Sequence, residues 1–478
     1  MASENAPSVK SGIDTFFEIT KRGSTIGAEI RGGLVTFVTM AYIVVLNPII
    51  LAGHEDVAGN ALDFAQVSAV TALTAGVMTI LFGVVARLPF GFAAGLGINS
   101  FLAVSVVGQV TWQEAMGLVV INGFIIVLLA VTGLRRMIFD AVPVQLKVAI
   151  SVGIGLFIAF IGFVNAGFVT SSGLSSPPIG LGQDGSITTV PTVMFIIALL
   201  LTGILVARRV KGALLIGLVT STVLAIIAEA IFKIGASNGG QNPGGWSLTV
   251  PEITGNIVAL PDLGLLGQFN FGGFERLGVL AGVMVVFTLV FSNFFDAMGT
   301  MTGLSKEAGL ADAKGNFPRL KSALVVEGVG AIAGGMSSGS SNTVFVESGA
   351  GIGEGARTGL ANIVTGALFL LAVFFTPLTQ IVPSEVASAM LVIVGAMMIA
   401  QIKEIDWTEY SVALPVFLTI TVMPMTYSIA NGIGVGFISW VILHAFAGKI
   451  RQISPLLWIV AIGFAVYFAR GPIEALIG

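Results

Sequence analysis

Two acidic residues sit inside runs that are otherwise apolar. Asp296 follows Phe294 and Phe295, and Glu347 follows the polar stretch 337–346 (SSGSSNTVFV) and leads into Ser348-Gly349-Ala350-Gly351. A charge within a bilayer is costly and usually functional. Burial penalises the ionised carboxyl, so such a group can take up and release a proton near neutral pH, or accept from a substrate N–H when ionised. Both are candidates for substrate binding and for proton coupling. Asn99, in the segment 95–101 (GLGINSF), is a third polar candidate, and Thr343 and Ser348 supply hydroxyls beside Glu347. Phe101 and the Phe294-Phe295 pair offer faces for a flat heterocycle, where stacking contributes on the order of 0.5–1.5 kcal/mol beyond burial. Core packing is the competing explanation for any one of the 33 phenylalanines. Glu327 also falls within an apolar run, but no polar motif surrounds it, and Glu354 with Arg357 reads as an ion pair or helix-end feature.

The elements that must position these groups are membrane spans. Hydrophobic residues make up 55% of the chain and charged residues 10%, mean hydropathy is +0.99, and a soluble domain carries roughly 25% charged residues. With 22 basic against 25 acidic residues the net charge is −3, which leaves no footprint for nucleic acid. The chain has no cysteine and only His54 and His444 as imidazoles. That argues against disulfides, thiolate nucleophiles and zinc, and no other nucleophile and base stand together, so neither an enzyme nor a cofactor is expected.

A spanning helix needs about 20 apolar residues. On that criterion fourteen segments stand out: 26–50, 64–86, 91–107, 114–133, 142–166, 190–208, 212–233, 274–303, 318–336, 340–353, 357–377, 384–402, 408–428 and 430–448. The third and tenth are too short to cross as ordinary helices, and 456–469 reads as interfacial or re-entrant. Residues 1–31 are polar, so insertion is expected to use the first span rather than a cleaved leader. Basic residues test the count, because cytoplasmic loops concentrate them. With the N-terminus inside, the cytoplasmic loops hold Arg87, Arg135, Arg136, Arg208, Arg209, Lys211, Lys306, Lys314, Arg319, Lys321, Arg357, Lys403, Lys449 and Arg451. The outer loops 167–189 and 235–273 carry none, which places both termini in the cytoplasm.

Folding the chain over near 235–273 reveals a repeat. Thr39 falls opposite Thr288, Asn47 opposite Asp296, and Asn99 opposite Glu347 at nearly the same offset; Val142-Pro143 parallels Val382-Pro383, with Gly155 and Gly395 equally far beyond. Seven spans per half is an odd number, so the halves insert upside down to each other, which is a secondary-transporter signature. The fold class read from the sequence is an all-α polytopic membrane protein of about fourteen segments in a seven-plus-seven inverted repeat, with short strands breaking spans three and ten. Each broken span is expected to continue as a half-helix that aims free amides at the midplane. Close helix packing accounts for most of the 62 glycines, but not for the polar run Ser337, Ser338, Ser340, Ser341 and Asn342.

Four segments together carry a family resemblance: 33–51 (GLVTFVTMAYIVVLNPIIL), 95–101 (GLGINSF), 293–303 (NFFDAMGTMTG) and 345–360 (FVESGAGIGEGARTGL). The chain resembles the AzgA-like purine permeases of the nucleobase (xanthine/uracil) permease superfamily from about residue 15 to about residue 450. The resemblance implies a core domain (26–133 and 274–377) and a gate domain (142–233 and 384–450), flanked by a cytoplasmic segment 1–25 and a C-terminal segment 451–478. It implies proton-coupled import of adenine, guanine or hypoxanthine across the plasma or inner membrane, with sodium the lesser expectation, by sliding of the core against the gate, often as homodimers. Asn99, Asp296 and Glu347 are then the base-contacting positions. The chain departs from the usual pattern at Leu96, at Ser100 and over 342–345, segments that line the expected pocket. The resemblance therefore does not choose among purines. The alternatives are a pyrimidine, xanthine or small-anion carrier on the same scaffold, or a channel; no arginine lies near the two half-segments at depth, which disfavours an anion.

Overall fold

The computed structural model describes residues 12–134, 141–173, 176–183, 185–237, 241–253, 255–312 and 317–469. Among them ten helical segments are long and apolar enough to cross a bilayer. The basic residues Arg135, Arg136 and Lys314 and the ends 1–11 and 470–478 lie outside the described residues. In chain order the elements are α1 (Gly12–Phe17), α2 (Ile26–Met40), α3 (Ile43–Ala52), α4 (Phe64–Val85), β1 (Phe92–Ala94), α5 (Leu96–Phe101), α6 (Trp112–Thr132) and α7 (Val144–Asn165). A small hairpin, β2 (Val169–Ser171) with β3 (Ile179–Leu181), precedes α8 (Val190–Ala207) and α9 (Ala213–Phe232). The second half holds α10 (Gly273–Leu277), α11 (Val279–Glu307), α12 (Leu320–Met336), β4 (Asn342–Val344), α13 (Ser348–Gly353), α14 (Gly359–Ala372), α15 (Ser384–Ile399), α16 (Tyr410–Met425), α17 (Ile429–Phe446) and α18 (Pro455–Phe468).

Side-chain caps set where several helices begin, because the first amides of a helix have no partner within it. The Asp63 carboxylate accepts from Gln66 N ahead of α4, and Thr111 and Glu114 form a reciprocal capping box at α6. At α14 the cap comes from a distance: Glu29 of α2, fully buried, accepts from the amides of Arg357, Thr358 and Ala361. A carboxylate at a helix N-terminus is the favoured placement, and this one ties the first helix of one half to the fourth passage of the other.

Packing is symmetric between the halves. α6 packs on α12 as α14 packs on α4, while α7 packs on α15 and β1 on β4. At the α7–α15 crossing a Cβ on Gly155 would stand 2.8 Å from Gly395 O, and one on Gly395 would stand 2.4 Å from Gly155 O. These two glycines, already matched in sequence, meet face to face because only a missing side chain lets the backbones approach so closely. β1 and β4 run antiparallel with Phe92 opposite Val344, Ala93 opposite Thr343 and Ala94 opposite Asn342. The ladder is extended by Gly95 N to Ser341 O and Phe345 N to Gly91 O. In hydrocarbon the strand edges must pair with something; here each strand satisfies the other.

One end of the bundle gathers basic groups. Arg22 donates to the carbonyls of Arg87 and Arg357, Arg319 to Val85 O, and Glu354 forms ion pairs with Lys211 and with Arg31. Glu354 thus pairs away from Arg357, whose guanidinium donates instead to Ile352 O and Ala356 O. At the opposite end the span read at 274–303 is one helix that begins later, at Val279. Gly278, with φ 80°, separates the short α10 from α11, which brings Arg276 out to pair with Glu114 at 2.7 Å. α18 has 14 residues, fewer than a crossing needs, and packs along α17 and α11.

Candidate functional site

Asp296 and Glu347 come together. Asp296 lies on α11, which packs against β4, α13 and α5, and Glu347 occupies the turn between β4 and α13 as the N-cap residue of the half-helix. Both carboxyls are half-buried and within electrostatic range of each other. Glu347 is held from α2 and from the break that follows it. Tyr42, in the two-residue interruption between α2 and α3, donates from Oη to Glu347 Oε1 at 2.5 Å. Thr39 Oγ1 donates to the Glu347 carbonyl at 3.2 Å. Tyr42 is fully buried, and it is the contact that sequence reasoning missed. Its only signal was a polar aromatic in the middle of the apolar run 34–52.

Asn99 belongs to a different network. Its Nδ2 donates to Asn47 Oδ1 at 2.5 Å, and Asn47 Nδ2 donates to Thr71 Oγ1 at 2.7 Å and to Gly339 O at 3.0 Å. Asn47 and Asn99 are the positions that the repeat matches to Asp296 and Glu347. One half therefore carries a bonded amide pair where the other carries a carboxyl pair. The Asn47 side chain anchors the polar stretch itself, because Gly339 lies within it. That stretch is further held by Asn293 Nδ2 to Ser341 Oγ at 2.9 Å and by Ser338 Oγ to Gln268 O at 3.0 Å. Ser338 and Ser340 adopt φ of 57° and 67°, a left-handed conformation that costs a non-glycine residue about 1 kcal/mol and clusters at functional sites.

The remaining candidates differ in how their side chains are engaged. Thr343 lies in β4 with its hydroxyl buried and no hydrogen-bond partner among the described residues. Ser348 is engaged on both sides, accepting from Gly91 N at 2.9 Å and donating to Phe345 O at 2.7 Å, so it clamps one end of the β1–β4 ladder. Phe294 is 1% exposed and meets Phe295 edge-on at 5.0 Å, while Phe295 meets Phe291 at 5.4 Å. Phe101 is buried in the same core. In this structure the three rings lie within the apolar core. The first-turn amides of α13 are not free either: Ser348 N, Gly349 N and Ala350 N donate to the carbonyls of Phe345, Val346 and Glu347. The expected array of open amides is replaced at this passage by the Glu347 carboxyl.

A bundle of apolar helices interrupted at two paired strand turns, with two carboxyls at one of them, defines a multi-pass membrane transporter rather than an enzyme. The chain belongs to the Permease family, whose model matches residues 27–435. It is similar to the guanine/hypoxanthine permease PbuG of Bacillus subtilis (strain 168), with 37% identity over 95% of this chain and 99% of that one. It is also similar to the adenine permease AdeP of Escherichia coli (strain K12), with 35% identity over 95% of both chains. The fold is shared with the transmembrane domain of the cyanobacterial bicarbonate transporter BicA, at a TM-score of 0.61 and 14% identity over 85% of this chain and 97% of that chain. Murine Solute Carrier 26 family member A9, an anion transporter in the inward-facing state, matches at a TM-score of 0.59 and 12% identity, over 94% of this chain and 74% of that one. The purine-permease resemblance carried by the four motifs holds at the level of the family.

Proposed function

We propose that this chain is a secondary transporter of the cell membrane that imports purine nucleobases with protons. The observation that carries the reading is the carboxyl pair: Asp296 and Glu347, half-buried and within each other's field, at the turn of a broken passage. A purine is flat, uncharged and edged with N–H donors and lone pairs, and two carboxyls are suited to opposite edges of such a ring. Like charges held close in a low dielectric share a proton rather than both ionising. Proton and base together lower the charge cost of carrying the site across the bilayer, and loading changes the relative stability of the outward and inward states, as coupling requires.

The moving part is a core formed by 26–133 and 274–377, sliding against a gate formed by 142–233 and 384–450 in an elevator-like motion. The symmetric packing supports fourteen passages in two inverted halves, spans three and ten each being a strand followed by a half-helix. The cluster of basic groups at one end supports placing that end, with both termini, in the cytoplasm. The test is a thermal-shift panel of purines and pyrimidines on purified protein, with uptake of labelled bases in cells. Adenine, guanine or hypoxanthine should stabilise the wild type and fail to stabilise Asp296→Asn. Glu347→Gln should lose proton-dependent accumulation; accumulation at the wild-type level by that variant rejects the coupling, and stabilisation by pyrimidines alone rejects the substrate class.

A further inference from the structure

The hydroxyl of Tyr42 does something the repeat does not require. The position matched to Tyr42 in the second half is Phe291, which packs among aromatic rings, so a buried ring suffices there without a polar tip. Tyr42 instead directs its O–H at one oxygen of one carboxyl, Glu347 Oε1, at 2.5 Å, while Thr39 holds the backbone of the same residue. Among the described residues no side chain donates to Asp296, so the two members of the pair are unequal. A hydrogen bond donated to a carboxylate favours its ionised form. The two carboxyls are therefore held differently: with a donor already committed to Glu347 Oε1, the Glu347 carboxylate presents oxygens that accept.

An acceptor-only carboxylate matches one kind of purine edge. A 6-oxopurine displays N1–H, and guanine adds a 2-amino group beside it, so both Glu347 oxygens meet donors. A 6-aminopurine displays a bare N1 lone pair beside its amino group, and one Glu347 oxygen then faces another acceptor. A site built to bond an N–H rejects the analogue lacking it more strongly than an apolar pocket rejects a change of size. We propose that Tyr42 is a specificity-determining positioning residue: by donating to Glu347 it fixes that side chain as a two-oxygen acceptor and selects 6-oxopurines, guanine and hypoxanthine, over 6-aminopurines. The inference rests on the purine-transport reading above and deepens it.

The experiment is competition against uptake of labelled hypoxanthine by guanine, adenine and 1-methylguanine, which lacks N1–H, in wild type, Tyr42→Phe and Glu347→Gln. In wild type, guanine should compete at least about tenfold better than adenine or 1-methylguanine, the worth of one hydrogen bond. Tyr42→Phe should narrow the guanine-to-adenine ratio, because Glu347 then lacks the donor that fixes it as an acceptor, and should make the ratio depend on pH; a role limited to packing would leave the ratio and its pH profile unmoved. Glu347→Gln, whose amide both donates and accepts, should favour adenine, read as binding by thermal shift. A wild type that prefers adenine, equal competition by guanine and 1-methylguanine, or a wild-type ratio in Tyr42→Phe overturns the role of Tyr42 while leaving purine transport standing. Failure of any purine to compete or bind overturns both. If Tyr42→Phe does not fold, the 1-methylguanine comparison in wild type decides alone.

Discussion

Replacing Asn47 by leucine tests whether the amide pair is the structural counterpart of the carboxyl pair. The side chain is fully buried, and its loss removes three hydrogen bonds: one from Asn99 Nδ2 and two to Thr71 Oγ1 and Gly339 O. Thr71 keeps its own bond to Val67 O, so the groups left stranded are the Asn99 amide and the Gly339 carbonyl. Each buried orphan costs about 1–3 kcal/mol, which gives about 2–6 kcal/mol for Asn47→Leu. Polar bonds between membrane helices average nearer 0.6 kcal/mol, so the lower part of that range is expected. The assay is a double-mutant cycle with Asn99→Leu, read as stability of the purified protein in mild denaturant. The double variant should cost less than the sum of the two single variants by about 1 kcal/mol or more, because the second substitution removes the amide that the first had stranded. Strict additivity would refute the network. So would Asn99→Leu abolishing purine binding while leaving stability intact, which would return Asn99 to direct substrate contact.

Gly395→Ala would place a Cβ 2.4 Å from Gly155 O and 2.8 Å from Ala159 Cβ; a loss of about 1–3 kcal/mol is expected from overpacking, whereas Gly299→Ala, with nothing within 4 Å of its Cβ, should be neutral in the same melt. Asp56, in the loop after α3, accepts from the amides of Ala58, Asn60 and Trp112; burial pushes its carboxyl up, but these bonds outweigh burial and hold it below the usual range. Its stabilisation is therefore present above the ordinary carboxylate value and lost as pH falls through the depressed one, so Asp56→Asn should lower stability at pH 7 and match wild type in acid, as a melt across pH would show. The Lys211 hydrogen bond likewise holds the Glu354 carboxyl below its usual range, and this pair joins the α8–α9 loop to the end of α13. Glu354→Gln should leave the melting temperature unchanged yet increase thiol labelling of Val38→Cys, which lies beside Gly212 of that loop; unchanged labelling in this cysteine-free background would show that the pair restrains nothing.

Much of the candidate site was legible because a carboxyl in an apolar run has few inexpensive explanations. Asp296 and Glu347 stand out by contrast with their neighbours, and the structure brings them within range of each other. Asn99 stood out equally and proved to be bonded to Asn47, because sequence shows polarity but not which partner satisfies it. Glu29, at the polar edge of the first span, drew no attention, yet it is fully buried and caps a helix more than 300 residues away in the chain. Sequence shows that Phe294 and Phe295 are adjacent, but not that their rings meet edge-on.

Composition and hydropathy alone determined that the chain lives in a bilayer, and the spacing of apolar runs determined most helix bounds, because lipid imposes one length and one hydrogen-bonding solution on every crossing segment. Matched positions such as Gly155 and Gly395 were visible as a repeat. Only the tertiary structure decided which matched residues meet, that Arg276 leaves its span to pair with Glu114, and that Tyr42 reaches Glu347. Those contacts join residues far apart in the chain, and no local periodicity encodes them; they exist because distant helices and the paired strands β1 and β4 pack against one another.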